Sequence, residues 1–246
     1  MTSQALRDPE AVAPARTVTA ADLVALAQRY GASTVASTYN EPLITSEWAV
    51  EVFRSAKERG FRTAFISNGN ATEQVLRYLR PWVDLYKVDL KSFQDRNYRR
   101  LGGRVDRILA TIPRLVEMGF WVEVVTLVIP GFNDSDAELR DVARYLAGVS
   151  PDIPWHVTAF HKDYKMTDPE NTPASTLLRG CEIGRNTGIR YVYAGNLPGR
   201  VGRWENTHCH SCDTPVIERY GFQVLHDRLR GGACPRCGTR IPGVWQ

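Results

Sequence analysis

Four cysteines near the C-terminal end of the sequence form two C-x-x-C pairs, a spacing typical of metal sites in a reducing compartment. They are Cys209, Cys212, Cys234 and Cys237. Two such turns can direct four thiolates at one ion in a tetrahedron, and because no ligand position stays open the ion would be structural. Gly238 permits the tight turn after the last cysteine. The pattern predicts a zinc-ribbon-like domain over residues 200–246 that its ion stabilises.

Polar side chains follow several apolar runs at the point where each run stops. The first pair is Asn40-Glu41, where Pro42 keeps the preceding residue extended. The later candidates are Asn68, Asp89, Lys91, Asn133, Asp134, His156 or His161, and Asn196. In barrels and open α/β sheets, ligands bind at the carboxyl ends of the strands. The sequence therefore predicts one active-site rim, with His161 as the better histidine because it lies at a strand end.

The elements that must position this rim alternate along the chain with short connections. The predicted strands are 34–37, 63–66, 85–90, 121–129, 155–160 and 191–194. The predicted helices are 21–30, 46–59, 72–79, 105–118, 136–146 and 173–186. This alternation predicts a parallel α/β sheet with crossover helices. Six strands are too few for a closed eight-stranded barrel, so a partial TIM-like (β/α) barrel and an open doubly wound sheet both fit.

Composition narrows the functional classes. A chain of 246 residues with 43% hydrophobic and 24% charged residues can form one large α/β domain with a small appendage. Residues 1–19 are interpreted as a loop or tail, 20–199 as the main domain. The net charge of +4 gives little support for a nucleic-acid or membrane surface. With neither a long apolar run nor a signal-peptide core in the sequence, we expect a cytoplasmic protein.

Seven short motifs together carry a family resemblance. They are Tyr-Asn-Glu-Pro (39–42), Asn-Gly (68–69), Val-Asp-Leu-Lys (88–91), Ile-Pro-Gly-Phe-Asn-Asp (129–134), Pro-Trp-His-Val (154–157), Tyr-Val-Tyr-Ala-Gly-Asn (191–196) and the terminal Cys-Pro-x-Cys-Gly. In this order they resemble the AmmeMemoRadiSam system radical SAM enzymes, relatives of the pyruvate formate-lyase activating enzymes. The resemblance covers about residues 20–246 and implies a partial barrel.

The resemblance also implies cofactors, partners and residue roles. Members of that family hold a 4Fe–4S cluster and S-adenosylmethionine (SAM), and form a 5′-deoxyadenosyl radical that abstracts hydrogen. By analogy, the cofactor-binding residues are Asn40 and Glu41 at the methionine ammonium, Asn68 near SAM, and Ile129 and Gly131 beside the adenine. The implied residues on the substrate side are Asp89 and Lys91, and His161 is added to the catalytic candidates because it lies at a strand end. Beyond SAM, the expected partners are a protein substrate or proteins encoded nearby.

One departure from the family pattern concerns the iron–sulfur cluster. The family's C-x-x-x-C-x-x-C loop is absent, and the first cysteine is Cys181, which is expected to be buried in a helix. Family members carry Ser-Gln shortly after that loop, and this chain has Ser3-Gln4. The chain is therefore expected to begin just past the cluster, through a misplaced start, fragmentation or true loss. It would then be inactive alone, with strand 34–37 as an unpaired edge.

Two other functions remain open from the sequence. Lys91 follows an apolar run and, if desolvated, could form a Schiff base in a lyase on a TIM-like barrel. Alternatively, a barrel without a cluster and a ribbon rich in arginine could form a non-catalytic module that binds protein or nucleic acid. A solvated basic face explains those arginines more simply, so nucleic acid is the less favoured partner.

Overall fold

The computed structural model describes residues 17–163 and 166–245. Most of the predicted N-terminal tail, including Ser3-Gln4, therefore lies outside the described residues. Thr19 is the N-cap of the first helix and forms a capping box with Asp22, each side chain bonding to the other residue's backbone amide. Within the described ranges, no helix combines the length and apolar character that a membrane span requires.

The chain alternates between helices and strands as the sequence predicts. The α-helices of the described residues are α1 (Ala20–Arg29), α2 (Ser46–Glu58), α3 (Glu73–Leu79), α4 (Asp95–Arg100), α5 (Val105–Glu117), α6 (Asp136–Val149) and α7 (Ala174–Asn186). The strands are β1 (Thr34–Ser37), β2 (Arg62–Ser67), β3 (Leu85–Asp89), β4 (Trp121–Val128), β5 (Trp155–Ala159), β6 (Val192–Gly195), β7 (Thr207–His208), β8 (Pro215–Tyr220) and β9 (Gln223–Asp227). Short 3₁₀ helices cover Pro42–Thr45 and Gly202–Glu205.

Strands β1 to β6 form one sheet in which each strand lies beside its predecessor in the chain. The pairs β1–β2, β2–β3, β4–β5 and β5–β6 are parallel. A sequential order is that of a (β/α) barrel, whereas a doubly wound sheet reverses its order at a switch point. The partial-barrel alternative is therefore confirmed. Among the described residues, strand β1 is at one end of the strand order.

Within its described residues, the chain divides into two compact units. The first contains the chain up to Val88 together with Arg107–Val122. Its centre includes Phe65 on β2, Tyr86 on β3 and Phe120, with successive ring centroids 5.4 and 5.7 Å apart. Aromatic pairs at these distances stabilise beyond the area that they bury, so the three rings fix one face of β2 and β3.

The second unit contains Asp89–Asp106 and the chain from Glu123 onward. Helix α7 packs on β5 and β6 so closely that a Cβ atom on Gly184 would lie 2.9 Å from the Trp155 ring and 3.0 Å from Val192. Only glycine fits this contact without displacing the sheet. The buried face of β5 and β6 is therefore the face that meets α7.

The C-terminal segment of the second unit is a three-stranded sheet in the order β7–β8–β9. The hairpin predicted around Gly221 is present, with β8 and β9 antiparallel. We call residues 200–246 the ribbon. Its small core consists of Tyr191, Cys209, Val216, Ile217, Cys234 and Ile241. Because Tyr191 directly precedes β6, the ribbon and the start of β6 share one core, and the domain boundary near residue 199 stays a prediction.

Every predicted helix and strand of the main domain is present, with ends displaced by at most three residues. One further helix, α4, is present where the sequence predicts only a polar connection. This helix has six residues, of which Asn97 and Tyr98 are buried. A helix this short has no hydrophobic period to detect.

Candidate functional site

Glu41 is fixed at the end of β2 in the first unit. Its Oε1 accepts a hydrogen bond from the Ser67 hydroxyl at 2.7 Å, and its Oε2 accepts one from the Asn68 amide at 2.7 Å. The Leu43 amide donates a third, weaker bond at 3.2 Å. The structure thus brings together Glu41 and Asn68, two of the predicted cofactor residues. A carboxylate can accept about four hydrogen bonds, so the half-buried Glu41 can accept one more.

Two neighbours of this carboxylate differ in exposure. Asn40 is exposed directly before Glu41, so it remains available to a ligand. Tyr86 is only 1% exposed, and its hydroxyl has no hydrogen-bond partner among the described residues. Burial raises the pKa of Tyr86. The Ser67 hydroxyl lowers this pKa in part, and the Glu41 carboxylate raises it. No sequence signal indicates Ser67 and Tyr86, since both lie in apolar strand patterns.

Asp89 and Lys91 meet at the end of β3 in the second unit. The Lys91 Nζ lies 3.1 Å from Asp89 Oδ2. The Lys91 amide donates to the hydroxyl of Tyr98 at 3.0 Å, and burial raises the pKa of Tyr98 to about 12, so this phenol stays neutral. The predicted Asp-x-Lys pair is therefore assembled. The Lys91 side chain is 41% exposed and ion-paired, whereas a Schiff-base amine must be desolvated.

A buried acid on α6 holds the loop after Lys91. Glu138 is 2% exposed and accepts hydrogen bonds from the Ser92 hydroxyl, the Phe93 amide at 2.6 Å and the Gln94 side chain at 2.5 Å. Charge-assisted bonds of this kind are about twice as strong as neutral ones. No sequence signal distinguishes Glu138 from the exposed acids of an amphipathic helix.

Asn133 shapes the turn that follows β4. Its Oδ1 accepts from the Ile129 amide at 2.7 Å, and its Nδ2 donates to the carbonyls of Lys91 at 2.7 Å and Leu127 at 2.9 Å. The side chain is 2% exposed. Asn133 therefore fixes the turn that contains the predicted adenine-side residues. By donating to the main-chain carbonyl of Lys91, it also fixes the position of Lys91.

The predicted residues within that turn are accessible. Ile129 is half-buried and Gly131 is exposed with φ +71, a left-handed conformation that favours glycine. The Gly131 amide donates to Asp134 Oδ1 at 2.9 Å, which places Asp134 in a turn-stabilising role. The turn therefore presents backbone and an aliphatic side chain, the surface that a flat heterocycle can contact.

We expect Asn133→Ala to lower the free energy of unfolding by about 2–4 kcal/mol, because three hydrogen bonds are lost and buried groups are left unpaired. Urea denaturation measures the change. The matched control is Asn70→Ala at an exposed position, with an expected change within about 0.5 kcal/mol. Equal stability of the two variants would contradict the structural role of Asn133.

The two candidate histidines have different surroundings. His161 is exposed just after β5, and it has no hydrogen-bond or ion-pair partner within the described part of the chain. His156 lies within β5, with its Nε2 2.8 Å from Glu123 Oε2. The preference for His161 stays a prediction, but the structure gives His156 the fixed orientation that a site residue requires.

The four ribbon cysteines converge as the sequence predicts. Their Sγ atoms all lie within 4.8 Å of one another. The Cys209–Cys237 and Cys212–Cys234 sulfur pairs are 3.6 and 3.7 Å apart. A tetrahedral ion with metal–sulfur bonds of about 2.3 Å requires a sulfur–sulfur distance of about 3.8 Å. The four side chains can therefore surround one metal ion.

The two C-x-x-C turns have the same local structure. Cys209 and Cys234 each donate their amide to the carbonyl of a threonine five residues later, Thr214 or Thr239. The hydroxyls of these threonines lie 3.3 Å from Cys212 Sγ and 3.2 Å from Cys237 Sγ. In the sequence this appears as a repeated C-x-x-C-x-T, whose threonine the C-x-x-C spacing alone does not include.

Hydrogen bonding and burial act in opposite directions on these thiols. The Thr239 hydroxyl and amide lower the pKa of the Cys237 thiol to about 6, and Thr214 lowers the pKa of Cys212 in the same way. Burial raises the pKa of Cys209 to about 11. Hydrogen bonds from the two threonines thus favour the thiolate, the form that binds metals, at Cys212 and Cys237.

Comparison with known proteins identifies the family. The sequence profile described as the Radical SAM superfamily matches residues 7–145, more than half of the chain. The chain belongs to the radical SAM superfamily. The expectation of SAM-dependent radical chemistry at the family level is therefore confirmed.

Relatives of this radical SAM protein include an uncharacterized protein and several activating enzymes. The chain is 32% identical over 231 residues to protein MJ0808 of Methanocaldococcus jannaschii, covering 93% of this chain and 68% of that protein. It is 32% identical over 107 residues to the choline trimethylamine-lyase activating enzyme of Oleidesulfovibrio alaskensis, covering 43% of this chain and 34% of the enzyme. The pyruvate formate-lyase 1-activating enzyme of Escherichia coli is 25% identical over 159 residues, covering 59% of this chain and 65% of the enzyme.

Solved structures confirm the fold. A domain of a pyruvate-formate lyase-activating enzyme from Bacteroides vulgatus superimposes with a TM-score of 0.58 at 21% identity, covering 66% of this chain and 98% of that domain. A radical SAM methyltransferase from Sphaerobacter thermophilus gives 0.59 at 21% identity, covering 74% and 59%. The radical SAM partial barrel is therefore the fold of this chain, as predicted.

The radical SAM family implies SAM and an iron–sulfur cluster, and the residues present fit these two groups differently. Glu41 retains one acceptor position beside an exposed Asn40, which suits an ammonium group. The cluster requires three thiolates on one loop. Cys181 is buried and lies outside the ribbon, and the other four cysteines already face one another. These 246 residues do not fit the cluster.

Proposed function

We propose that this chain forms the SAM-binding and substrate-binding part of a radical SAM activating enzyme of the AmmeMemoRadiSam type. The observation that carries the proposal is the Glu41 carboxylate, held by Ser67 and Asn68 at a strand end with one acceptor position left. An anchored carboxylate pays little entropy to receive a ligand cation. The thiol-based sites suit a reducing compartment, so we place the protein in the cytoplasm.

The proposal assigns some residues to SAM and others to the substrate. Glu41, with Asn40 and Asn68, would accept the methionine ammonium of SAM, while Ile129 and Gly131 would contact its adenine. Asp89 and Lys91 would face the substrate, with His161 as a further candidate. Bound SAM would supply the chemistry of hydrogen-atom abstraction, with the electron coming from an iron–sulfur cluster that these residues do not hold. The side chains of this chain would only bind and orient SAM and the substrate.

A protein substrate is the partner that the proposal favours. Relatives named as activating enzymes support it, because an activating enzyme acts on another enzyme. The four-cysteine site would hold zinc, since four thiolates with no open position suit a structural ion. No observation favours the Schiff-base lyase, because Lys91 is partly exposed and paired with Asp89.

Glu41→Ala is expected to weaken SAM binding about ten- to hundredfold in a protein that also carries the cluster loop. The loss corresponds to one charge-assisted hydrogen bond in a partly buried site, about 1.5–3 kcal/mol. Equilibrium dialysis with labelled SAM measures the affinity, and thermal unfolding verifies that the variant is folded.

The matched control for this experiment is Glu51→Ala, which removes an exposed carboxylate from α2 and should leave SAM affinity unchanged. Glu41→Gln should bind with intermediate affinity, since the amide oxygen can accept a bond without the charge. Wild-type affinity in folded Glu41→Ala would remove Glu41 from the SAM site.

A further inference from the structure

Strands β4, β5 and β6 present a polar group on the face opposite to α7. Along β5 and β6, the residues that meet α7, such as Trp155 and Val192, are buried, and they alternate with half-exposed ones. His156 and Tyr193 belong to the half-exposed set and are paired in register on neighbouring strands. Because side chains alternate across a strand, both lie on the face of the sheet opposite to α7, as does Glu123 on β4. We call this face of β4–β6 the open face.

Glu123 fixes the imidazole of His156. Its Oε2 lies 2.8 Å from His156 Nε2, and an ionised carboxylate only accepts hydrogen bonds, so Nε2 carries the proton. Nδ1 is then the nitrogen that remains for a ligand. The His156 side chain is 30% exposed and the Glu123 side chain is 38% exposed, so a molecule on the open face can reach the pair.

Tyr193 supports the other side of the imidazole, and the ribbon holds Tyr193. The rings of His156 and Tyr193 are stacked, with centroids 5.1 Å apart and 23° between their planes. The Tyr193 hydroxyl lies 2.9 Å from Thr207 Oγ1 on β7. The Arg219 guanidinium on β8 lies 5.6 Å from the centre of the Tyr193 ring and donates to Thr207 Oγ1 at 2.8 Å.

The two supporting residues belong to strands that the cysteines anchor. Thr207 is buried two residues before Cys209, and β8 begins three residues after Cys212. The ribbon core is small, so the position of β7 and β8 depends on the ion that joins the two C-x-x-C turns. A continuous series of contacts therefore runs from the metal site to His156.

We propose that the ribbon is a positioning element for the open face of β4–β6. Through Thr207 and Arg219 it holds Tyr193 against His156, and so fixes an imidazole whose Nδ1 can accept a hydrogen bond from a substrate hydroxyl or peptide N–H. Arg219 and Thr207 are positioning residues, and His156 is the residue that meets the ligand. This inference concerns residues outside the proposed SAM site and stands even if Glu41 does not bind SAM.

The test is nitrogen NMR of the full chain labelled with ¹⁵N-histidine and loaded with metal. The signals of His156 are assigned as those missing from His156→Gln. In the wild type we expect one tautomer, with Nε2 protonated and Nδ1 unprotonated. Arg219→Met should shift the His156 signals and reduce the tautomer preference, whereas Arg219→Lys should restore both, because a lysine keeps a cation above the ring.

Two further measurements distinguish a loss of His156 positioning from a general loss of structure. Arg236→Met makes the same substitution at an exposed ribbon position and should leave the His156 signals unchanged. Release of the metal with a thiol reagent and chelator should alter the His156 signals while those of exposed His161 persist. If Arg219→Met loses its metal, Thr207→Val provides the same test with a nearly isosteric change. His156 signals that survive both Thr207→Val and metal release would overturn the proposal.

Discussion

Removal of the metal from the four-cysteine site is expected to unfold the ribbon. Its buried core contains few side chains, two of which are the ligands Cys209 and Cys234. Binding of a structural zinc in comparable small sites is worth about 10–16 kcal/mol, which equals or exceeds the stability of an ordinary domain of about 5–15 kcal/mol. We expect about one zinc per chain by metal analysis, and loss of ribbon structure when a chelator takes the ion.

Substitution of single cysteines distinguishes the four proposed metal ligands from Cys181. Cys209→Ser should lose the metal and make the ribbon sensitive to protease, because a tetrahedral site with three thiolates is weaker and open. Cys181→Ala should keep one metal per chain, although it removes a buried side chain from α7. Metal-free protein with four titratable thiols and an intact ribbon would contradict a structural metal site.

The fold could be predicted from the sequence because its elements are long and periodic. Strand β4 alternates buried and half-exposed residues over its whole length, and the helices have one apolar face. Periodicity does not determine the order of the strands in the sheet, so a partial barrel and a doubly wound sheet both fit the sequence. Strand neighbours are determined by packing between elements that are distant in sequence. Helix α4 was missed because its stability comes from Tyr98 and Asn97 packing inward and not from a pattern.

Residues of the candidate site could be predicted where a motif or a strand end marks them, whereas the side chains that support them could not. The four cysteines of the C-x-x-C turns converge as predicted. The turn from Ile129 to Asp134 is also local, since Asn133 accepts a hydrogen bond from the Ile129 amide, but its role beside the adenine stays a prediction. Ser67, which holds Glu41, and Glu138, which holds the loop after Lys91, depend on contacts across the fold. Neither has a distinctive neighbour in the sequence, so no motif indicates them.

The choice between the histidines shows the same limit. The sequence favours His161 because it follows a strand, whereas the partner that orients His156 is Glu123, on the neighbouring strand. Single-sequence reasoning places a residue at a strand end but does not show which side chain faces it. The register between β4 and β5 supplies that information, because it places Val125 beside His156 and Glu123 two residues earlier.

These 246 residues alone are expected to produce no 5′-deoxyadenosine from SAM. A 4Fe–4S cluster that leaves one iron open for SAM needs three thiolates from one loop. Cys181 is buried in α7, where burial raises the pKa of its thiol and disfavours the thiolate. The other cysteines lie within 4.8 Å of one another around a separate site. Because the Glu41 group and the turn at Asn133 are both formed, we expect the chain to lack the redox centre while it keeps the residues that are proposed to bind SAM.

The measurement is anaerobic reconstitution of the chain with iron and sulfide, reduction with dithionite, and chromatographic assay of 5′-deoxyadenosine. The same assay on a protein extended by a C-x-x-x-C-x-x-C loop is the positive control, and Glu41→Ala in that protein should reduce the yield at low SAM concentration. Iron taken up by the ribbon would give a four-thiolate site without an open position, which can be distinguished spectroscopically from a cluster and should not cleave SAM. Catalytic formation of 5′-deoxyadenosine by the 246 residues alone would show that a cluster forms on ligands other than a three-cysteine loop.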